Sequence, residues 1–209
     1  MRFRPTIIVV AAGRGSRFAA AAPVAADAPI KLAQPFGAST VLGTTVRNAV
    51  QSQLPVVVVT TAELVPVLSA VIAQRDVVVL SEEEAARGMG HSIAAGVAER
   101  SGAPGWLVLP GDMPLVQPGT LLAVATALEH HPVAYAQHKG RRGHPVGFSS
   151  ELYSELVLLK GDEGARRIVA RYPAFGVELP DRGALIDIDT PADLEAARAA
   201  AAATPVLPA

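Results

Sequence analysis

Cysteine is absent from all 209 residues, which excludes disulfides and thiolate metal sites and leaves a reducing compartment permissible. Long apolar runs are also missing: none reaches the ~18 residues that a membrane-spanning helix needs. The opening Met1-Arg2-Phe3-Arg4-Pro5 and the apolar run behind it resemble a signal peptide. That run is short and ends in Gly13-Arg14-Gly15-Ser16-Arg17, so it reads as a first strand. There is no excess charge of either sign, because 18 Lys and Arg face 19 Asp and Glu for a formal net charge of −1. Nucleic-acid binders carry a basic excess that this chain lacks, so neither nucleic acid nor membrane is an expected partner. An anionic ligand must be held by local groups. A soluble, cytoplasmic protein is the expectation. Lysine is scarce, with three residues against fifteen arginines. Two catalytic signatures are missing as well, the Gly-x-Ser-x-Gly elbow of hydrolases and the His-Glu-x-x-His of zinc enzymes.

What is present is an alternation of elements. Half of the residues are apolar, enough for a sizeable core. Short β-branched runs at 6–12, 54–61, 76–80, 106–110 and 133–137 have the look of buried parallel strands. Between them, 40–52, 62–74, 90–100, 119–130 and 163–171 carry helical spacing, and Thr190-Pro191 opens a further helix through Ala203. This pattern predicts an α/β fold, a mostly parallel sheet with helices on both faces. Residues 1–203 read as a single domain, 19–29 as a mobile alanine-rich surface loop, and 204–209 as a disordered tail.

Ligands of such sheets bind beyond the carboxyl ends of the strands, so the residues that follow each run carry the information. After the first come Gly13, Arg14, Gly15, Ser16 and Arg17. Glycines there let backbone N–H groups face a phosphate, and Arg17 adds charge. The segment is neither a dinucleotide fingerprint, since Phe18 replaces the third glycine, nor a Walker loop, since no Gly-Lys-Ser/Thr follows. An ordinary tight turn is the alternative. Lys31 could neutralise a triphosphate as a point charge. Asp112, directly behind a buried run, needs a cation or donors. Asp187 and Asp189 alternate around Ile188 and point to one side. Asp112 with either of them suits magnesium, though Asp189 could equally cap the helix that follows. Gly88-Met89-Gly90-His91-Ser92 offers a glycine-bounded helix start, which could also be a flexible loop. Arg141-Arg142-Gly143-His144-Pro145 is the densest cationic spot. Residues 161–166 read as a capped turn into a helix.

Taken in order, six segments resemble the MobA-like NTP transferase family, and within it the molybdenum cofactor cytidylyltransferase branch. They are 11–17, 88–92, 110–114, 143–146, 161–166 and 187–191. The resemblance implies a Rossmann-like nucleotide-diphospho-sugar transferase fold. It also implies a nucleotide site at Ala11, Ala12, Gly13, Gly15, Ser16, Gly88 and Ser92, with Arg17 and Lys31 as catalytic cations on the triphosphate. Asp112 and Asp189 would hold magnesium, and Gly143 and His144 would lie near the acceptor. The Ala-Ala-Gly start is similar to CTP-using members. In the family the lysine follows the arginine by only a few residues, whereas here 19–29 intervene.

The expected reaction moves a nucleoside monophosphate, CMP favoured, from an NTP to a phosphate-bearing acceptor, with molybdenum cofactor first among acceptors, and releases pyrophosphate. The alternatives are a sugar phosphate or phospholactate acceptor, or a non-enzymatic chaperone that hands the cofactor to a molybdoenzyme.

Overall fold

The computed structural model describes residues 3–13, 15–21 and 30–203, with the backbone alone for residues 16 and 17. The first half of the chain gives β1 (Thr6–Ala11), α1 (Ser16–Ala21), β2 (Pro35–Phe36), β3 (Ser39–Thr40), α2 (Val41–Gln51), β4 (Val56–Thr61), α3 (Val65–Leu68), β5 (Val77–Leu80), α4 (Glu82–Ala85) and α5 (Met89–Glu99). Then follow β6 (Gly105–Pro110), α6 (Pro118–Ala127), β7 (Val133–His138), β8 (Arg141–Ser149), α7 (Tyr153–Leu156), α8 (Arg166–Arg171), β9 (Ala174–Glu178) and α9 (Pro191–Ala203). Seven strands make one sheet in the order β5-β4-β1-β6-β8-β7-β9. β1 is parallel to both β4 and β6, β4 to β5, and β7 to β9. Within this sheet β8 alone runs against its neighbours, β6 and β7. β2 and β3 pair separately as a small antiparallel ribbon.

Period-two alternation along β1 sorts its side chains between two cores. Ile7, Val9 and Ala11 join Leu42 and Val46 of α2, Leu121 and Val124 of α6 and Leu194 of α9. Ile8 faces the other way, with Ile93 and Val97 of α5, Leu156 and Ile168. Full burial of each such aliphatic side chain stabilises the fold by about 1.5–3 kcal/mol, so the two apolar layers dominate its energetics. Helices thus cover both faces of a mostly parallel sheet, as the alternation predicts. The chain leaves β1 toward β4 on one side, and β6 flanks it on the other. That reversal opens a crevice beyond the carboxyl ends of β1 and β6.

Several expectations are corrected. Ala19 to Ala21 form the last turn of α1 rather than a loop, in keeping with the high helix propensity of alanine. The rest of the expected loop (22–29) and the expected tail (204–209) lie outside the described residues. The helix expected over 62–74 shrinks to a 3₁₀ turn and α3, because the Ser69 hydroxyl donates to the Pro66 carbonyl at 2.9 Å and turns follow. The helix expected from Glu163 begins at Arg166, since Gly161 and Gly164 take φ of +72° and +56°. β8 covers the cationic spot, and β9 was not expected at all. Among the described residues no helix is long and apolar enough to cross a membrane.

Candidate active site

A cleft of about 1020 Å³ opens at the crevice. Ala11, Ala12, Gly13 and Gly15 line it from the β1 end, Gly111 and Asp112 from the β6 end, and Asp187 and Asp189 from the segment before α9. Gly88 and Ser92 enter from the start of α5, and Gly143 and His144 from β8. The side chains of Ser16 and Arg17 lie outside the described residues. Every other expected site residue, Lys31 included, lines this one cleft.

Asp112 is fixed by its main chain. The carbonyl of Gly111 accepts from the Thr45 hydroxyl at 3.0 Å, and the carbonyl of Asp112 accepts from the Ile188 N–H at 3.1 Å. One turn along α2, the Asn48 side-chain amide donates to the carbonyls of Pro114 at 2.9 Å and Val116 at 3.1 Å. Thr45 and Asn48 were not expected to serve the site. Their signal was available: two polar residues three apart on a face of α2 that is otherwise apolar.

The carboxylates converge on one cation. Lys31 Nζ donates to Asp112 Oδ2 at 2.6 Å and lies 3.6 Å from Asp189 Oδ1. The side chains of Lys31 and Asp112 are 11% and 18% exposed, so the pair is largely shielded from water and screened less than a surface ion pair. Asp112 Oδ1 is buried with no hydrogen-bond partner among the described residues. An orphaned carboxylate oxygen beside a second carboxylate is the donor set that a hard divalent ion takes, its remaining positions filled by phosphate oxygens and water. The residues present therefore fit magnesium or manganese. The cap of α9 falls elsewhere: Thr190 Oγ1 accepts from the Asp193 N–H at 3.2 Å, and Asp193 Oδ2 accepts from the Thr190 N–H at 2.8 Å. Hydrogen bonds from Thr190 hold the Asp193 carboxyl below its usual range. The N-cap of α9 is thus Thr190 and not Asp189, the alternative considered from sequence.

Gly15 takes φ +59°, and a Cβ there would stand 3.3 Å from Lys31 Cβ. The lysine stem thus runs along the glycine loop on its way to the carboxylates. Despite the intervening residues, Lys31 arrives beside Asp112.

The opposite wall is different. Ile93, Val108, Val146, Phe148 and Val169 line it, all members of the core that packs under α5 and α8. His144 sits in this apolar setting. It retains some surface exposure, yet its Nδ1 is enclosed and unpartnered among the described residues. Burial pushes the His144 pKa down, and the opposing pull of Asp112 is smaller, so the ring is neutral near pH 7. Gly143 beside it is compulsory, because a Cβ would collide with the Ala184 carbonyl. Residues 161–164 close the cleft over α5: the Gly90 N–H donates to the Gly161 carbonyl at 2.8 Å and the Gly161 N–H to the Arg87 carbonyl at 2.9 Å. Gly88 takes φ +94°, and a Cβ on it would stand 2.6 Å from Asp162 Oδ1. The turn at 161–166 is therefore a wall of the site, and the capping read there from sequence is not realised, since the N-cap of α8 is Ala165 with no side-chain cap.

The chain is similar to several known proteins. The MobA-like NTP transferase domain matches residues 7–175. The chain is 38% identical over 123 residues to the purine catabolism protein PucB of Bacillus subtilis (strain 168), a match that spans 56% of this chain and 60% of PucB. The crystal structure of Rv0371c from Mycobacterium tuberculosis H37Rv superposes with a TM-score of 0.77 at 27% identity, over 94% of this chain and 98% of that one. The same mycobacterial protein in complex with manganese gives 0.73 at 26%, over 92% and 97%. A nucleotidyl transferase from Methanothermobacter gives 0.76 at 25%, over 94% and 97%. The chain belongs to the MobA-like NTP transferase family and has the fold and lineage of a nucleotidyltransferase.

Proposed function

We propose that the chain transfers a nucleoside monophosphate, CMP favoured, from an NTP to a phosphate-bearing acceptor, molybdenum cofactor first, and releases pyrophosphate. The observation that carries this reading is the shielded Asp112, with one oxygen on Lys31 Nζ at 2.6 Å and the other without a hydrogen-bond partner among the described residues, in a glycine-lined cleft. A terminal phosphate oxygen of the acceptor attacks the α-phosphorus in line. The new P–O bond forms as the bond to the departing pyrophosphate breaks. No covalent enzyme intermediate is required, since positioning and charge neutralisation suffice.

In this reading Gly13 and Gly15, with Ala11, Ala12 and Ser16, cradle the triphosphate through backbone N–H groups. Lys31 and Arg17 neutralise charge on the pyrophosphate. Gly88 and Ser92 bound the nucleotide from the start of α5, and the preference for CTP rests on the Ala11-Ala12-Gly13 start. Magnesium, held by Asp112 and Asp189, would supply Lewis-acid stabilisation of the phosphate oxygens. Gly143, which packs directly on the Ala184 main chain, and the neutral His144 lie on the acceptor side, where the ring presents a nitrogen to the acceptor. The likeness to the purine catabolism protein PucB supports a setting in purine breakdown, with a molybdoenzyme as the eventual recipient in this reading.

The test is pyrophosphate release with each of the four NTPs, with and without molybdenum cofactor, and with a chelator as control. Release with CTP and cofactor that the chelator abolishes is expected. Release only with a sugar phosphate or phospholactate would move the acceptor to those classes. Cofactor binding without any pyrophosphate would make the chain a carrier and end the enzymatic reading.

A further inference from the structure

We infer that the Lys31 ammonium is the resting counter-ion of Asp112 and Asp189, and that a divalent cation enters by displacing it onto the glycine loop. This rests on the proposed assignment of Asp112 as a metal-holding residue and extends it to the order of binding.

Three observations carry the inference. First, Nζ lies 2.6 Å from Asp112 Oδ2 and 3.6 Å from Asp189 Oδ1, so one ammonium serves both carboxylates. Second, Lys31 is 11% exposed and Asp112 18%, so their pairing is shielded and its loss would strip the Asp112 carboxylate of that cation in a setting where this is costly. Third, the stem of Lys31 passes Gly15 closely: a Cβ at Gly15 would stand 3.3 Å from Lys31 Cβ and 4.0 Å from Lys31 Cε. Rotation about the terminal torsions of the stem therefore moves Nζ between the carboxylates and the space above the glycine loop, with little movement of the backbone.

A divalent ion and an ammonium cannot share these oxygens at hydrogen-bonding distance without strong repulsion. The free protein should therefore bind the ion weakly, because the lysine must leave without a new partner. A triphosphate on the glycine loop gives Nζ that partner, and ion and nucleotide then bind cooperatively. Lys31 acts first as a placeholder on Asp112 and afterwards as the cation of the leaving group. A single residue thereby couples metal entry to nucleotide arrival.

Manganese binding to the full chain, read by electron paramagnetic resonance of the free ion, tests this without any turnover. In the absence of nucleotide, Lys31→Met should bind Mn²⁺ about tenfold more tightly than the wild type, although neither residue type in that pair is itself a strong metal ligand. With CTP present the wild type should gain affinity for Mn²⁺ and the variant should gain less. Equal or weaker Mn²⁺ binding by Lys31→Met without nucleotide would overturn the inference. Lys31→Gln, with circular dichroism as the check on folding, provides the same comparison if the methionine variant does not fold. Asp112→Asn separates the two levels. If Mn²⁺ binding survives in Lys31→Met/Asp112→Asn, the assignment of Asp112 falls. If Asp112→Asn weakens binding in every background while Lys31→Met never tightens it, only the displacement falls.

Discussion

On the β1 and β6 side of the cleft, Lys31 Nζ lies 2.6 Å from Asp112 and 3.6 Å from Asp189, and hydrogen bonds from Thr45 and Ile188 pin the main chain beneath Asp112. On the β8 and α8 side, the lining is Val146, Phe148 and Val169, with the neutral His144 among them. The first side is specified by charge, and small movements there change its chemistry. The second is specified by shape, through glycines where any side chain would collide. Under the proposed function, phosphate handling and acceptor recognition would rest on different physics, and substitutions should reveal the division.

The largest effect is expected at the charged side. Asp112→Ala should lower pyrophosphate release by on the order of 10²-fold or more, since a positioned charge at the reacting phosphates is lost. Near-normal turnover in saturating magnesium would break the comparison at its root. Gly143→Ala strikes the shaped side, where its Cβ meets the Ala184 carbonyl. A cost of ~2 kcal/mol is expected from backbone crowding, seen as a lower denaturation midpoint. Melting at the wild-type temperature would show that the wall yields.

Next comes acidity. The folded chain holds His144 neutral by burial, whereas in the unfolded chain the ring takes a proton near its ordinary pKa of 6.5. The unfolded state therefore binds more protons below that pH, and stability falls as pH falls through 6.5. His144→Gln should lose less stability than the wild type between pH 7 and pH 5 in paired urea titrations. Identical slopes would remove His144 from the buried wall. The smallest effect is expected at Asp193→Ala. It opens the reciprocal cap with Thr190 and should cost about 1 kcal/mol in denaturation experiments. A modest decline in manganese affinity should accompany it, because Asp193 Oδ2 also accepts from the Asp189 N–H at 3.2 Å.

How much of this was legible follows from how each part is encoded. β1 and β4 announce themselves as β-branched runs and β6 as an apolar one, and Asp112 stands at the carboxyl end of β6, where a parallel sheet places its ligands. β8 hides, because Gly143, Pro145 and Gly147 interrupt its pattern and its first residues are charged. It also breaks the rule that was used to find the site: as the antiparallel strand it brings its beginning, not its end, to the ligand edge. Gly143 and His144 were found through their likeness to a family motif rather than from topology. The orphaned Nδ1 of His144 and the brace from Asn48 depend on contacts between residues far apart in the chain, which no local pattern records. The Thr190–Asp193 cap was half visible, since Thr190-Pro191 signals a helix start while Asp193 was passed over.

The hydrogen bonds that join Gly161 to Arg87 and Gly90 have a mechanical meaning. They stitch the entrance of α5 to the loop ahead of α8, so that two remote stretches of sequence travel as one panel. A substrate that presses on either stretch must shift both, and its neighbour in the cleft will sense the change. The shape-defined wall of the cleft is in this way held as one piece by its backbone.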